Sequence, residues 1–304
     1  MPAIKNYLSL IKFSHTIFAL PFAMIGFFLG MFPYSRFTQI SLNSTNGWGN
    51  SFYSFGVIRI FLLVLLCMLT ARSAAMAFNR YLDRSFDAKN PRTAIREIPK
   101  GIISANSALW FTIVCCVLFI VACYFINRIC FFLSPVALFV ILFYSYTKRF
   151  TPLCHLVLGL GLSLAPIGAY LAVTGRFDVL PVLFSFAVIC WVSGFDIIYA
   201  LQDEEFDKSQ NLYSIPAAVG KTKALRISEI LHVACAAFVI IAGVYGHFSW
   251  LYWLGVAVFC GMLVYQHSIV KPNDLSKVNI AFMTANGIAS IVFGVLVISD
   301  LLLL

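Results

Sequence analysis

Charge is the scarcest thing in this sequence. Asp, Glu, Lys and Arg make up 11% of its 304 residues and apolar side chains 61%, against about 25% and 45–50% in soluble globular proteins. Length alone would suggest two soluble domains. The 21 basic and 12 acidic residues, however, cannot give a body of this size a polar shell. A soluble protein is thereby excluded and a polytopic membrane protein expected. Cysteine pairing is also missing. The nine cysteines, at 67, 115, 116, 123, 130, 154, 190, 235 and 260, form no CxxC pair and nearly all lie in apolar runs. They read as small buried hydrophobes, neither disulfides nor metal ligands. No cleavable signal peptide is evident either. The first apolar run, about Ile17 to Phe32, follows Lys5 and Lys12 without a small-residue cleavage site, as expected of a first transmembrane helix left in place. The sequon Asn43-Ser44-Thr45 in the next loop is on its own a weak sign of glycosylation.

What the sequence does have is long apolar runs. Nine are long enough to span a bilayer as helices, at about 15–33, 57–78, 104–126, 129–147, 152–174, 179–200, 224–245, 248–268 and 279–299. Pro21, Pro135 and Pro166 fall inside them, which a membrane bundle tolerates. Small residues such as Gly159, Gly161 and Ser163 would let helices approach closely. Lys148 to Thr151 leaves only a tight turn between two runs, so those should form an antiparallel hairpin. With the N-terminus placed in the cytoplasm and the sides alternating, 17 of the 21 Lys and Arg fall on the cytoplasmic side. A wrong helix count would scramble that bias. The net charge of +9 is therefore read as topology, and no nucleic-acid partner is expected. The expectation is an all-α protein with its N-terminus in and its C-terminus out.

Seven of the twelve acidic residues sit in two short clusters. One runs from Asn79 to Asp87 and the other from Asp196 to Asp207. Asn79, Asp83 and Asp87 recur every four positions, as do Tyr199, Asp203 and Asp207, a spacing that aligns side chains on one helical face. Four helices lie between the clusters, so both are expected on the same side of the membrane. Carboxylates facing each other repel unless a cation lies between them. An all-oxygen donor set favours Mg²⁺ over zinc. Arg92 and Arg96 follow the first cluster, and Lys148 and Arg149 fill the short turn. Four Asp with this many bases suit a metal-bridged diphosphate. Solvated helix-end charges and positive-inside anchors are the plain alternatives.

These motifs resemble those of the UbiA-type intramembrane prenyltransferases. Asp87-Ala-Lys-Asn-Pro-Arg-Thr-Ala resembles the family's loop after the first motif. Tyr144-Ser-Tyr-Thr-Lys-Arg-Phe-Thr-Pro152 resembles its helix 4–5 turn, with Ser145 where proline is frequent. Leu212-Tyr-Ser-Ile-Pro216 resembles the loop after the second motif. The likeness covers almost the whole chain. It implies one domain over 1–304, with nine helices bundled around a lipid-accessible cavity. It further implies a prenyl diphosphate donor, an acceptor that is most often aromatic, and Mg²⁺ held with diphosphate by Asp83, Asp87, Asp203 and Asp207 with Asn79. Arg72 and Arg92, with Arg96 nearby, would bind diphosphate, and Lys148 and Arg149 phosphate or an acceptor carboxylate. Tyr199 and Asp196 are candidates for orienting the acceptor or taking its proton, with helix packing as the alternative. Lys12 and His15 are weaker candidates, and the roles of Glu204 and Glu205 stay open. A 4-hydroxybenzoate-like acceptor for quinone synthesis is the first expectation and a futalosine-pathway aromatic acceptor the second, at the cytoplasmic face of a bacterial inner membrane. A transporter is the rival class, but its charged residues should lie near the bilayer midplane.

Overall fold

The computed structural model describes residues 2–11, 18–32 and 55–303. Lys12, His15 and the sequon at Asn43 lie outside these. A short helix, α1 (Pro2–Leu10), precedes α2 (Ala19–Met31) and α3 (Phe55–Leu82). The chain continues through the short α4 (Arg84–Lys89) to α5 (Ala105–Ile126), α6 (Arg128–Thr147), α7 (Cys154–Thr174) and α8 (Val179–Ala200). A 3₁₀ turn at Leu201–Asp203, then α9 (Glu204–Ser209) and α10 (Ile215–Val219), lead to α11 (Lys221–Tyr245) and α12 (Trp250–Ile269). A π turn at Ile280–Ala285 opens α13 (Asn286–Leu303). Among the described residues eight helices are long and apolar enough to cross a membrane, and Leu20–Met31 is a shorter apolar one. Each of the nine expected runs therefore corresponds to a helix among the described residues. The second run extends past its expected end at residue 78 to Leu82, which brings Asn79 into α3.

Polar residues fix where these helices begin. Ser104 Oγ accepts from Ser107 N at α5, Asn127 Oδ1 from Cys130 N at α6, and Asp178 Oδ1 from Val179 N at α8. Each satisfies a backbone donor that the first turn would otherwise leave unpaired. Asn127 also donates to Leu171 O, tying α6 to the far end of α7. Inside the bundle, Phe22 of α2, Trp191 of α8, Phe259 of α12 and Phe293 of α13 are buried and in ring contact. Trp110, Phe132 and Val264 face outward. That outward apolarity suits a lipid solvent, which leaves close packing to hold helices together. Gly26 shows how close: a Cβ there would lie 1.9 Å from Pro166 O of α7. At Gly159 of α7 a Cβ would meet Ser193 Oγ at 2.5 Å and Ile189 O at 2.7 Å. Gly161 differs, its nearest neighbour being Ile141 Cα at 3.8 Å. The hairpin expected around Lys148 to Thr151 is present between α6 and α7.

Candidate active site

The two Asp motifs do not lie on unbroken helices. Asp83 separates α3 from α4 with φ −87°, ψ 5°, and Asp203 ends the 3₁₀ turn just before α9 with φ −103°, ψ 3°. Both adopt the sparsely populated bridge conformation, in which many active-site residues are found. The i to i+4 backbone bonds nevertheless continue across the first break, Asp83 N to Asn79 O at 2.9 Å and Asp87 N to Asp83 O at 2.7 Å. Asn79, Asp83 and Asp87 thus stay in register while the chain bends around Asp83. The loop after α4 then joins the motifs. Asn90 donates to Asp203 Oδ1 at 3.2 Å and accepts from Arg92 N at 2.9 Å. Tyr213 N donates to Lys148 O at 2.7 Å, fastening the loop after the second motif to the α6–α7 turn.

Every motif carboxylate is engaged by a base. Arg92 grips Asp203 with two parallel bonds, Nε to Oδ1 at 3.1 Å and Nη2 to Oδ2 at 2.5 Å. Arg96 Nη1 lies 2.6 Å from Asp87 Oδ1, Lys148 Nζ 2.7 Å from Asp207 Oδ1, and Arg149 Nη2 3.1 Å from Asp83 Oδ1. Asn79 donates to Asp83 Oδ2 and Ser214 to Asp207 Oδ2, both at 2.9 Å. Burial pushes the Asp83 carboxyl up to about 6, against the opposing pull of Arg149. Burial would lower the pKa values of Arg92 and Lys148, but Asp203 and Asp207 respectively outweigh it and raise both. Glu204 is buried and holds Lys208 at 2.6 Å with Lys221 at 3.9 Å, whereas Glu205 is exposed.

Twelve of the residues singled out from the sequence, the four motif Asp with Asn79, Arg72, Arg92, Arg96, Lys148, Arg149, Asp196 and Tyr199, line one cavity of about 380 Å³, whereas Glu204 and Glu205 do not. Residues that sequence reasoning passed over line it too. Arg80 is almost fully buried, its Nη1 4.0 Å from Asp87 Oδ2. His155 Nδ1 lies 2.7 Å from Asp196 Oδ2. The Ile215 N–H points at His155 Nε2 from 3.4 Å, which makes Nε2 the acceptor and leaves the proton on Nδ1, donated to Asp196. The available signal was simply an ionisable residue inside an apolar run, which is functional by default. Asn90 and Ser214 carried no such signal.

A second cavity of similar volume adjoins the first and is almost wholly apolar. Arg72, Met76, Tyr144, Leu158 and Leu162 line both. Along α7 it reaches from Leu158 to Ala172, about 20 Å at the rise of a helix. Its lining residues Leu133, Val136 and Phe177 are exposed on the outer surface, so it opens sideways toward lipid. A charged chamber thus leads into an apolar one that the bilayer can enter.

Among the described residues no three His, Cys, Asp or Glu side chains lie close enough to hold one ion together. The four Asp do not converge on a single point. Mg²⁺ is commonly bound through only one or two carboxylates, with waters and substrate phosphates completing its shell. The residues present fit that mode. Asp87 Oδ2 is buried with Arg80 Nη1 4.0 Å away and accepts no hydrogen bond, so it keeps a lone pair to offer a hard cation.

The sequence model of the UbiA prenyltransferase family matches residues 42–288. The chain belongs to this family. Among curated proteins it is similar to a 4-hydroxybenzoate octaprenyltransferase of Francisella tularensis subsp. mediasiatica (strain FSC147), 29% identical over 81% of this chain and 87% of the relative. A protein of the same description from Nitrosospira multiformis (strain ATCC 25196 / NCIMB 11849 / C 71) is 27% identical over 84% and 88%. Among solved structures, the apo form of a UbiA homolog from Aeropyrum pernix K1 superposes with TM-score 0.79 at 28% identity, over 94% of this chain and 98% of that one. A UbiA homolog from Archaeoglobus fulgidus bound to DMAPP and Mg²⁺ superposes with TM-score 0.71 at 20% identity, over 98% and 100%, a likeness of fold alone. The eight long apolar helices and the shorter one among the described residues of this UbiA-family chain are thus those of an integral membrane prenyltransferase fold.

Proposed function

We propose that this protein uses Mg²⁺ to transfer a polyprenyl group from its diphosphate to a hydroxylated aromatic acid of the 4-hydroxybenzoate type. The observation that carries this reading is the charged chamber, ringed by four Asp–base pairs, opening into an apolar cavity with lateral access. A prenyl diphosphate has that same division between head and tail. Arg92, Arg96, Lys148 and Arg149 bind the diphosphate oxygens, Arg with its planar fork and Lys as a point charge. Asp83 and Asp87, with Asn79 beside them, and Asp203 and Asp207 are the residues that would hold Mg²⁺. The metal, when bound, neutralises charge on the departing diphosphate.

The four bases stabilise the same developing charge from fixed positions. The C1–O bond of the donor breaks with its electron pair going to diphosphate, leaving an allylic cation at the inner end of the chamber. The acceptor's ring carbon bonds to that cation and the ring loses a proton. Arg72, expected from the sequence on the diphosphate, lies instead at the neck between the cavities, where it would face the acceptor's carboxylate. Asp196, held by His155 and flanked by Tyr199, orients the phenol or takes its proton. The names of the curated relatives support the acceptor class. The 17 of 21 basic residues on one predicted face support a chamber open to the cytoplasm of a bacterial inner membrane.

The test incubates membranes containing the protein with Mg²⁺, labelled geranyl diphosphate, and 4-hydroxybenzoate or dihydroxynaphthoates. Prenylated acceptor is expected, and is expected to vanish with EDTA or with Asp83→Ala or Asp203→Ala. Solute flux that depends on those two residues, with no acceptor prenylated, would replace the transferase with a transporter.

A further inference from the structure

The last helix begins irregularly, and a single side chain holds the irregularity in place. In the π turn Ile280–Ala285 the carbonyls are displaced from the α-helical ladder, a feature frequent at functional sites. Asn286 is fully buried directly after it, and all four of its side-chain hydrogen-bonding positions are used. Its NH₂ donates to Ala281 O and Phe282 O, both at 3.1 Å. Its Oδ1 accepts from Trp191 Nε1 of α8 and Gln266 Nε2 of α12, both at 2.8 Å. A buried amide is costly unless satisfied, and this one is satisfied only while three elements keep their places.

What the arrangement fixes is the position of Phe282. Its ring centroid lies 4.2 Å from that of Tyr199, and 5.5 Å from those of Phe18 and Phe195, nearly perpendicular to both. All four rings line the charged chamber. On Tyr199 the Arg92 guanidinium carbon sits 5.3 Å from the ring centroid, and Arg92 Nη1 donates to the hydroxyl at 2.9 Å. A continuous stack thus runs from the Arg92–Asp203 pair through Tyr199 to Phe282. Tyr199 and Phe195 project from regular α8, whereas Phe282 projects from a backbone that needs Asn286 to hold its shape.

We infer that Phe282 shields the allylic cation from water and that Asn286 is the positioning residue that presents it. The inference rests on the prenyltransferase reading. Once the C1–O bond has broken, the cation has two fates. An acceptor ring carbon can bond to it and lose the ring proton, giving prenylated acceptor. Alternatively, a water oxygen can bond to it and lose a proton, giving prenyl alcohol. An aromatic face both stabilises the cation and excludes water, so the ratio of alcohol to prenylated acceptor reports the shield. That ratio does not depend on how much of a variant folds.

The experiment uses the full chain in membranes with Mg²⁺, labelled geranyl diphosphate, and whichever of 4-hydroxybenzoate or a dihydroxynaphthoate the unaltered protein prenylates. Phe282→Leu is expected to raise the alcohol-to-product ratio about tenfold, and Phe282→Tyr, which keeps the ring, to leave it within about twofold. Asn286→Asp can still accept from Trp191 and Gln266 but offers the π turn at most the single O–H of a protonated carboxyl in place of two N–H donors. It should shift the ratio the same way by about fivefold with the KM for geranyl diphosphate unchanged. Asp300→Asn alters an equally buried polar side chain remote from the chamber, one that accepts from Ser249 N and Tyr252 N. It should leave the ratio alone. A ratio within twofold of the unaltered protein for Phe282→Leu or Asn286→Asp overturns the inference while leaving the transferase reading intact. Loss of both products in Phe282→Tyr, or an equal shift in Asp300→Asn, overturns it too. An unaltered protein that consumes no geranyl diphosphate removes the transferase reading and this inference with it.

Discussion

The pairing of each motif carboxylate with its own base predicts that metal and diphosphate bind cooperatively. In the free protein the charges of the four Asp and their four bases cancel. Mg²⁺ arriving alone must draw a carboxylate from its base and strand a guanidinium or ammonium. Diphosphate arriving alone must draw a base from its carboxylate and strand that. Together each ligand supplies the partner the other has displaced. The side chains of these pairs are between 0 and 34% exposed. They therefore lie between exposed pairs, worth about 0–1 kcal/mol, and fully buried ones, where losing one partner costs about 3–5 kcal/mol. With solvent screening of the partly exposed partners, a stranded charge here costs about 1–3 kcal/mol. A coupling of that size tightens each ligand about 5–150-fold when the other is present.

Calorimetric titration of the solubilised protein measures this directly. The ligand is geranyl thiolodiphosphate, a poorly ionising analogue, added with and without Mg²⁺ and corrected for their association in solution. Asp203→Asn sharpens the test. It removes the carboxylate that Arg92 grips, so Arg92 has no counter-charge left to give up. The analogue alone should then bind this variant more tightly than the unaltered protein, and the coupling to Mg²⁺ should shrink. Independent binding of the two ligands, or weaker binding of the analogue alone to Asp203→Asn, would refute the counter-charge reasoning.

Three further outcomes are expected. Because burial raises the Asp83 carboxyl to about 6, the protonated form is favoured below that pH and a proton then competes with Mg²⁺. Mg²⁺ titrations of turnover should show affinity falling by up to about tenfold per pH unit below 6 and level above 7. In the metal-free fold the same sign makes this group's contribution to stability greatest at low pH and lost as pH rises through 6. His155→Ala strips Asp196 of its hydrogen-bond donor and should lower kcat for transfer about 10–100-fold with little change in donor KM, whereas His155→Gln, which keeps an N–H donor, should retain more. Gly159→Ala forces a methyl against Ile189 O and Ser193 Oγ and should cost about 1–3 kcal/mol in thermal unfolding. Gly161→Ala, in the same helix but with ordinary spacing, should be nearly neutral.

The bilayer explains why the helices could be read from the sequence so fully. A span in lipid must satisfy its own backbone and be apolar along its whole length, so the nine runs could be counted directly. The four-residue spacing of Asn79, Asp83 and Asp87 likewise located the first motif. That spacing could not reveal the bend at Asp83, since the backbone bonds that keep the register continue through it. Nor could it reveal that each carboxylate carries its own base, because those partners come from other elements: Lys148 and Arg149 from the α6–α7 turn, Arg92 from the loop after α4. His155 and Asn286 each appear in sequence as a strongly polar side chain within an apolar run. The rule that such residues are functional would have flagged both, but only the fold says that one holds a carboxylate and the other a backbone turn.

The relation between the two cavities bears most directly on transfer against transport. A transporter places its binding groups near the midplane and alternates access to them. Here the charged groups gather where α3 and α8 end and short segments begin, and the space beyond Arg72 and Tyr144 is apolar and open to lipid. Among the described residues, a solute entering the charged chamber meets only an apolar space onward. A molecule with a charged head and a hydrocarbon tail would fill both spaces at once, with its head-to-tail bond at the inner end of the charged chamber. Ionising that bond leaves the cation among the aromatic rings and the diphosphate among the bases, on the side from which it can leave.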